Sequence, residues 1–229
     1  MKQLTIGILG GMGPRATVEF EQRLLGKLTG VDQQLPRIVA TNDGTIPDRS
    51  DFLLGKGPDP LPRLLKSAKV LMAAGSNLIC MPCNTAHADQ ILGRLQQLTD
   101  LPIVDMPAAA VKAAKQAGYR QLLILGTEGT KVSRVFDMRA AGLRCVYPNQ
   151  PDQTIINSLI TQTKQGNTLE PLKSKLAGVI RAYNSDAAIL ACTELSLINP
   201  CEQTARPIID ALDELVKQCI LQMNEYNIN

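Results

Sequence analysis

The chain has 229 residues, a formal net charge of +3 and 45% hydrophobic residues, with no Trp, three Phe and four Tyr. This length suits one large domain or two small lobes that share an aliphatic core. Acidic residues are interspersed with the basic ones and aromatic residues are scarce, which argues against a nucleic-acid-binding surface. The apolar run at 4–9 is too short for a signal peptide or a membrane span, so we expect a cytoplasmic protein. Six cysteines in a chain of this size predict reduced thiols rather than a disulfide scaffold.

The first half of the chain alternates short apolar runs with helical patterns, which predicts parallel strands joined by right-handed crossovers. The predicted elements, in chain order, are strands at 4–9, 37–41 and 77–81, and helices at 16–28 and 64–74. Between them, the segment 42–62 is rich in Asp, Gly and Pro. We predict a long loop there, and a loop of this length is typically functional or disordered.

The second half of the chain repeats the first. Three pairs of segments match in the same order: GILGGMG (7–13) with LILGTEG (123–129), NLICMPCNTA (77–86) with AAILACTELS (187–196), and LPIVDMPAAAVKAA (101–114) with RPIIDALDELVKQC (206–219). The repeats predict an α/β fold of two pseudo-symmetric lobes, each a parallel sheet flanked by helices. We assign residues 1–102 and 207–229 to the first lobe and 103–206 to the second. The C-terminal helix, from about residue 210, should return to the first lobe.

Ligands of parallel α/β sheets bind beyond the carboxyl ends of the strands. The predicted loops at these ends are 10–14, 82–85, 126–130 and 191–194. If the two lobes point these ends at each other, the loops line one interlobe cleft, which is the predicted active site.

Each repeat places one cysteine directly after a buried strand and before a helix: Cys83 in PCNT and Cys192 in ACTE. A helix N-terminus stabilises a thiolate, so we expect both thiols to have a lowered pKa. Two such groups on opposite faces of a substrate can invert a stereocentre, because one removes the α-proton while the other delivers a proton. The developing carbanion needs hydrogen-bond donors on the adjacent carboxylate, such as backbone N–H groups of the turns at 84–85, 127–130 and 193–194.

Other interpretations of these residues stay open. A buried strand-end cysteine is often only a packing residue, and Cys80 with Cys83 formally matches a CxxC redox or zinc pattern. His87, the single histidine, could tune the Cys83 thiol or be structural. The segment 11–16 loosely fits a nucleotide-binding fingerprint, although Pro14 is awkward in a pyrophosphate-binding turn.

Five segments in order, GGMGP (10–14), IPDR (46–49), MPCNTAH (81–87), LGT (125–127) and CTEL (192–195), resemble the aspartate/glutamate racemase family, particularly its aspartate racemase branch. The resemblance implies racemisation by two bases, with Cys83 and Cys192 as the catalytic thiols. It implies no cofactor and no metal, and a homodimer. Arg49 is similar to residues that hold the substrate side-chain carboxylate, and Lys164 is a looser match to a lysine with the same role. The Gly that commonly precedes the second cysteine is Ala191 here, which could narrow the cleft.

The predicted site combines the two thiols with residues of the four loops and the two cations. The residues expected to bind substrate are Met12, Gly13, Arg49, Asn84, Thr85, Thr127, Lys164, Thr193 and Glu194. The most favoured substrate is aspartate. The alternatives are a glutamate or broad amino-acid racemase, a hydantoin racemase or maleate isomerase with the same cysteine pair, and a non-catalytic protein that binds an acidic amino acid.

Overall fold

The computed structural model describes residues 4–100 and 102–228. The predicted first lobe also includes residues 1–3, 101 and 229, and the third repeat begins at 101; these positions lie outside the described residues. The strands form two four-stranded parallel sheets, with the orders β2-β1-β3-β4 and β6-β5-β7-β8. The strands are β1 Thr5–Gly10, β2 Arg37–Asn42, β3 Leu78–Cys80, β4 Ile103–Val104, β5 Gln121–Leu125, β6 Arg144–Val146, β7 Ala187–Leu190 and β8 Ile208–Asp210.

The two sheets have the same strand order because equivalent strands come from the sequence repeats. The helices follow the strands as crossovers, which confirms the predicted α/β class with two similar lobes. They are α1 Pro14–Leu25, α2 Arg49–Leu53, α3 Leu61–Ala73, α4 Asp89–Gln96, α5 Met106–Gln116, α6 Glu128–Val132, α7 Gln150–Lys164, α8 Glu170–Ala182, α9 Thr193–Ile198 and α10 Ala211–Ile228. Short 3-10 turns at 84–87 and 201–203 complete the segments that follow β3 and α9.

One hydrophobic core joins the lobes. Alternate residues of the central strands, such as Ile6 and Ile8 in β1 and Leu122 and Ile124 in β5, are fully buried in the same cluster with α1, α5 and α10. The opposite face of each sheet is covered separately, by α3 and α4 in the first lobe and by α7 and α8 in the second. Burying a parallel sheet on both faces explains why its strands have continuous apolar sequences.

The pairing of two short strands bears on where the lobes divide. Strand β4 pairs with β3, and β8 pairs with β7, so β4 belongs to the first sheet and β8 to the second. The predicted boundaries at 102/103 and 206/207 assign each of these strands to the other lobe. The helices that follow β4 and β8 each reach the other sheet. Helix α10 packs on α1 and α5 and contacts β4, as expected for the C-terminal helix, and α5 contacts β8. We propose that the lobes separate after β4 and after β8 rather than before them.

The predicted loop at 42–62 contains a helix that the sequence reasoning missed. Asp48 caps helix α2, because its side chain accepts hydrogen bonds from the backbone N–H groups of Ser50 and Asp51. The prediction of a loop was therefore wrong at 49–53. The first residue of this helix, Arg49, is buried, so it does not lie in an exposed loop.

Among the helices in the described part of the chain, none combines the length and the apolar character needed to cross a membrane.

Candidate active site

The two repeated cysteines open onto one narrow cavity between the lobes, which we call the central chamber. The chamber holds Cys83 from the first lobe and Cys192 from the second. Each follows the central part of its sheet, after β3 and after β7. The other lining residues come from five loops or helix starts and from the C-terminal end of α7: Met12, Asp48, Arg49, Ser50, Asn84, Thr85, Thr127, Thr130, Lys164, Ala191, Thr193 and Glu194.

Nearly all of the predicted site residues meet in the central chamber. Gly13 is the exception: it lines an adjoining cavity, the outer pocket, together with Arg15 and Thr163. Gly13 still approaches the chamber closely, because a Cβ added to it would lie 3.1 Å from the Glu194 carboxylate. Sequence reasoning missed Asp48 and Ser50, although both flank Arg49 in the chain and that adjacency was the available signal.

The two thiols have different surroundings. The Cys192 Sγ donates a hydrogen bond to the Glu194 carboxylate at 3.0 Å. Burial raises the pKa of the Cys192 thiol well above its ordinary value, and the negative charge of Glu194 raises it further, while Lys164 opposes the shift. The prediction of a lowered pKa was wrong for Cys192, because burial and the neighbouring carboxylate outweigh Lys164 and the backbone N–H of Glu194.

The Cys83 Sγ lies 3.4 Å from the Thr85 hydroxyl and close to the Arg49 guanidinium. Burial alone would lower the pKa of Arg49, but the nearby Cys83 thiol and the carboxylates of Asp48 and Glu194 raise it above its ordinary value. Arg49 therefore remains a cation beside Cys83. The chamber accordingly has a cation beside one thiol and a carboxylate beside the other, although the two cysteines occupy equivalent places in the fold.

Polar atoms without partners also point to a ligand. Within the described residues, the Asn84 amide nitrogen and oxygen and the Arg49 Nε are buried without any hydrogen-bond partner. The other guanidinium nitrogens of Arg49 donate to the backbone carbonyls of Met12, Ile46 and Pro47. Buried polar groups are nearly always satisfied in folded proteins. The unpaired atoms of Asn84 and Arg49 are therefore donors and acceptors available to a polar substrate.

Two interlobe contacts close the chamber. The Lys164 Nζ lies 3.6 Å from the Asp48 carboxylate, and the hydroxyls of Ser50 and Thr127 are 2.6 Å apart. The chamber has a cavity volume of only about 20 Å³, against about 350 Å³ for the outer pocket. A cavity that holds one water needs roughly 10–15 Å³, so the chamber must open before an amino acid can enter.

Lys164 faces the acidic side of the chamber. Burial lowers the pKa of its ammonium group, but Glu194, Cys192 and Asp48 together raise it above its ordinary value. Lys164 is thus a second cation at the boundary between the chamber and the outer pocket, where both cavities share its side chain.

The surroundings of His87, Cys80 and Gly11 decide between the interpretations that the sequence left open. The His87 ring nitrogens lie 2.9 Å and 3.1 Å from the carbonyl oxygens of Cys83 and Val104, which makes it a buried structural residue. Burial lowers its pKa. Cys80 is buried in the shared core, away from the chamber that Cys83 lines. Gly11 has a φ of +96° and lies against the Asp43 backbone, where a Cβ atom would not fit. The backbone conformation and this close approach explain why the position is a glycine.

The contact between Cys192 and Glu194 gives a direct test of this electrostatic arrangement. We expect Glu194→Gln to lower the pKa of the Cys192 thiol and so to increase its rate of alkylation by iodoacetamide near pH 8. Mass spectrometry of the Cys192 peptide measures that rate. The exposed thiol of Cys201 is the internal control, and its rate should not change. An equal or slower rate at Cys192 would contradict the arrangement.

Comparison with known proteins places these residues in a family. The family model described as Asp/Glu/Hydantoin racemase matches residues 9–219. The broad specificity amino-acid racemase RacX of Bacillus subtilis (strain 168) is 26% identical over 227 residues, which cover 94% of this chain and 96% of that protein. An aspartate racemase structure from Picrophilus torridus has 28% identity and a TM-score of 0.84, covering 96% of this chain and 94% of its own. A Francisella tularensis glutamate racemase structure in complex with D-glutamate shares the fold, with 16% identity, a TM-score of 0.71, and coverage of 99% of this chain and 83% of its own.

Proposed function

Because the chain belongs to the Asp/Glu/hydantoin racemase family, we propose that it racemises an acidic amino acid, with aspartate as the preferred substrate, and that Cys83 and Cys192 are its two bases. One observation carries the proposal: the thiols occupy equivalent places in the two repeats and line one narrow chamber. No cofactor enters the proposed reaction. The homodimer remains a prediction from the family resemblance.

In the proposed reaction the two thiols start in opposite protonation states. Cys192 is the protonated member, since its hydrogen bond to Glu194 requires the thiol proton. We assign the role of the base to Cys83, because the Arg49 guanidinium lies beside its Sγ. Cys83 removes the α-proton from one face of the substrate, and Cys192 delivers its proton to the other face. The reverse reaction exchanges these states.

Carbanion formation next to a carboxylate requires donors that are already in place. The unpaired Asn84 amide is one such donor, and the first-turn N–H groups of the turn at 84–87 and of α9 are others. We assign the substrate side-chain carboxylate to Arg49 and Lys164. An acidic side chain would replace Asp48 as the partner of Lys164 when the substrate binds.

The second candidate is a racemase of broader substrate range. It is favoured by the outer pocket, which adjoins the chamber at Arg49 and Lys164 and provides about 350 Å³ for a longer side chain. The similarity to RacX, a protein named for broad specificity, supports the same candidate.

The deciding experiment is a chiral assay in D₂O without added pyridoxal phosphate, using aspartate, glutamate and a neutral amino acid. We expect the opposite enantiomer to form with deuterium at Cα, and fastest with aspartate. Comparable rates with a neutral amino acid would favour the broad-range candidate. Thermal stabilisation by aspartate without any α-hydrogen exchange would overturn the racemase proposal in favour of a binding protein.

A further inference from the structure

Two arginines outside the central chamber connect the lobes. Arg139, in the second lobe, donates from Nε to both carboxylate oxygens of Asp105 at 2.8 Å and 2.7 Å, and from Nη2 to the His87 carbonyl at 3.0 Å. Asp105 and His87 both belong to segments that follow strands of the first sheet. Arg139 therefore joins the second lobe to two segments that follow strands of the first sheet, through a carboxylate and a backbone carbonyl.

Arg23 makes the equivalent bridge in the opposite direction. It belongs to α1 of the first lobe, and its Nη1 donates to Asp210 at 2.7 Å while its Nη2 donates to the Ser196 carbonyl at 3.3 Å. Asp210 is the last residue of β8, and Ser196 lies in α9, which follows β7 of the same sheet. Arg23 also forms hydrogen bonds with Asp213 and Glu19. Among the ion pairs of the described residues, Arg139 has only Asp105 as a partner, so these two contacts are specific to Arg23.

The two bridges are related by the sequence repeat. Arg23 and Arg139 are 116 residues apart, as are the glycines at 10 and 126. His87 and Ser196 are 109 residues apart, which is also the separation of the two cysteines. Each bridge therefore repeats the same three partners: an arginine, an aspartate at the end of β4 or β8, and a backbone carbonyl of the segment that follows β3 or β7 in the same sheet.

Each carbonyl held in this way lies four residues after a cysteine, at the back of the turn that carries the thiol. His87 ends the 3-10 turn that begins after Cys83, and its ring contacts the Cys83 carbonyl at 2.9 Å. Ser196 lies in α9, for which Cys192 is the N-cap, and its N–H donates to the Cys192 carbonyl at 3.3 Å. A shift at either carbonyl would therefore move the turn and its thiol.

The arginines of both bridges are largely shielded from solvent. Arg139 and Arg23 have side chains 13% and 21% exposed, and their partners Asp105 and Asp210 are 33% and 4% exposed. Charge-assisted hydrogen bonds are stronger than neutral ones, and reduced solvent exposure limits their screening. The Ser196 hydroxyl adds a further bond to Asp210 at 2.5 Å.

We propose that Arg139 positions Cys83 and that Arg23 positions Cys192, so that each lobe sets the location of the other lobe's thiol. The inference rests on the proposed racemase function. It adds two positioning residues that do not touch the substrate and act through the His87 and Ser196 backbones. Relative movement of the lobes then displaces both thiols together.

The test uses Arg139→Gln and Arg23→Gln in the full chain. We expect each variant to lower kcat/KM by about 10- to 100-fold, the loss that a misplacement of up to about 1 Å can cause. Because two enantiomers have equal free energies, this loss must be the same in both reaction directions. The rate alone therefore cannot show which thiol has moved.

The α-deuterium isotope effect on kcat/KM identifies the displaced thiol. When proton transfer at one thiol becomes slowest, cleavage of the Cα–D bond limits the rate only for the enantiomer that this thiol deprotonates. We expect Arg139→Gln to raise the isotope effect for one enantiomer of α-deuterated aspartate, and Arg23→Gln to raise it for the other. The isotope effect is a ratio of two rates measured with the same protein sample, so it does not depend on how much of the variant protein is folded.

Two further variants complete the test. Asp105→Asn retains an N-cap side chain for α5 but removes the charge that Arg139 binds, so it should raise the isotope effect for the same enantiomer as Arg139→Gln. Arg94→Gln breaks an Arg–Asp pair within one lobe, at 2.7 Å, and should behave as wild type. Isotope effects that rise for the same enantiomer in both arginine variants, or in neither, overturn the positioning roles alone. A wild-type protein without racemase activity overturns the proposed function and the positioning roles with it.

Discussion

Replacing either chamber thiol by a hydroxyl should remove racemisation. We expect Cys83→Ser and Cys192→Ser each to lower kcat by about 100- to 10,000-fold, the usual contribution of a general acid or base. A serine hydroxyl ionises far less readily than a thiol, so it cannot take the proton in one direction. The measurement is the rate of D-aspartate formation from L-aspartate by chiral chromatography.

The two serine variants should also differ from each other. Each retains one thiol, so each can still exchange the α-hydrogen of one enantiomer with D₂O without inverting it, and the two variants should do so with opposite enantiomers. Cys201→Ser is the matched control, since Cys201 is an exposed thiol outside the chamber. Full racemase activity in either chamber variant removes that cysteine from the mechanism.

The second large effect should come from Arg49. We expect Arg49→Gln to lower kcat/KM for aspartate by about 100- to 1,000-fold, as for loss of a preorganised group that stabilises developing charge. It removes both the cation beside Cys83 and a partner for the substrate side-chain carboxylate. If Arg49 acts only on the substrate carboxylate, KM rises while kcat stays constant; a fall in kcat shows that it also supports the thiolate.

Arg49→Gln also leaves buried carbonyl groups without donors, which costs about 1–3 kcal/mol for a typical unsatisfied group. The free energy of unfolding must therefore be measured alongside the kinetics. Arg63→Gln is the control, because Arg63 is an exposed arginine whose Asp43 contact is 3.9 Å long. Unchanged kcat and KM in folded Arg49→Gln protein would refute both roles.

The sequence predicted the duplicated sheets and the thiol pair because these features repeat locally. A strand, a turn and a cysteine within about ten residues leave a recognisable pattern, and two copies in the same order made the pattern specific. The short strands β4 and β8 lie in the third pair of repeated segments, but the repeat did not assign them to their sheets, since a strand of two or three residues does not encode its partner. Helix α2 was missed because one capping residue, Asp48, offsets the many Gly and Pro residues around it.

The unequal environments of the two thiols could not be predicted from the repeat. Equivalent positions implied equivalent pKa values, yet Glu194 lies two residues from Cys192 and the corresponding position after Cys83 is Thr85. Arg49 reaches Cys83 from a segment more than thirty residues earlier in the chain. Likewise, the bridges of Arg23 and Arg139 join residues separated by tens to nearly two hundred positions. Contacts of this kind depend on tertiary packing and leave no local signal.

The crossing of α5 and α10 has a consequence for how the molecule folds. Helix α10 follows the second sheet but packs on α1 of the first lobe and reaches β4, and α5 follows the first sheet but contacts β8 of the second. A chain cut between the repeats would leave part of a sheet face uncovered in each half. We therefore expect the two lobes to unfold together rather than as independent modules, and we expect any opening of the chamber to leave the shared core closed.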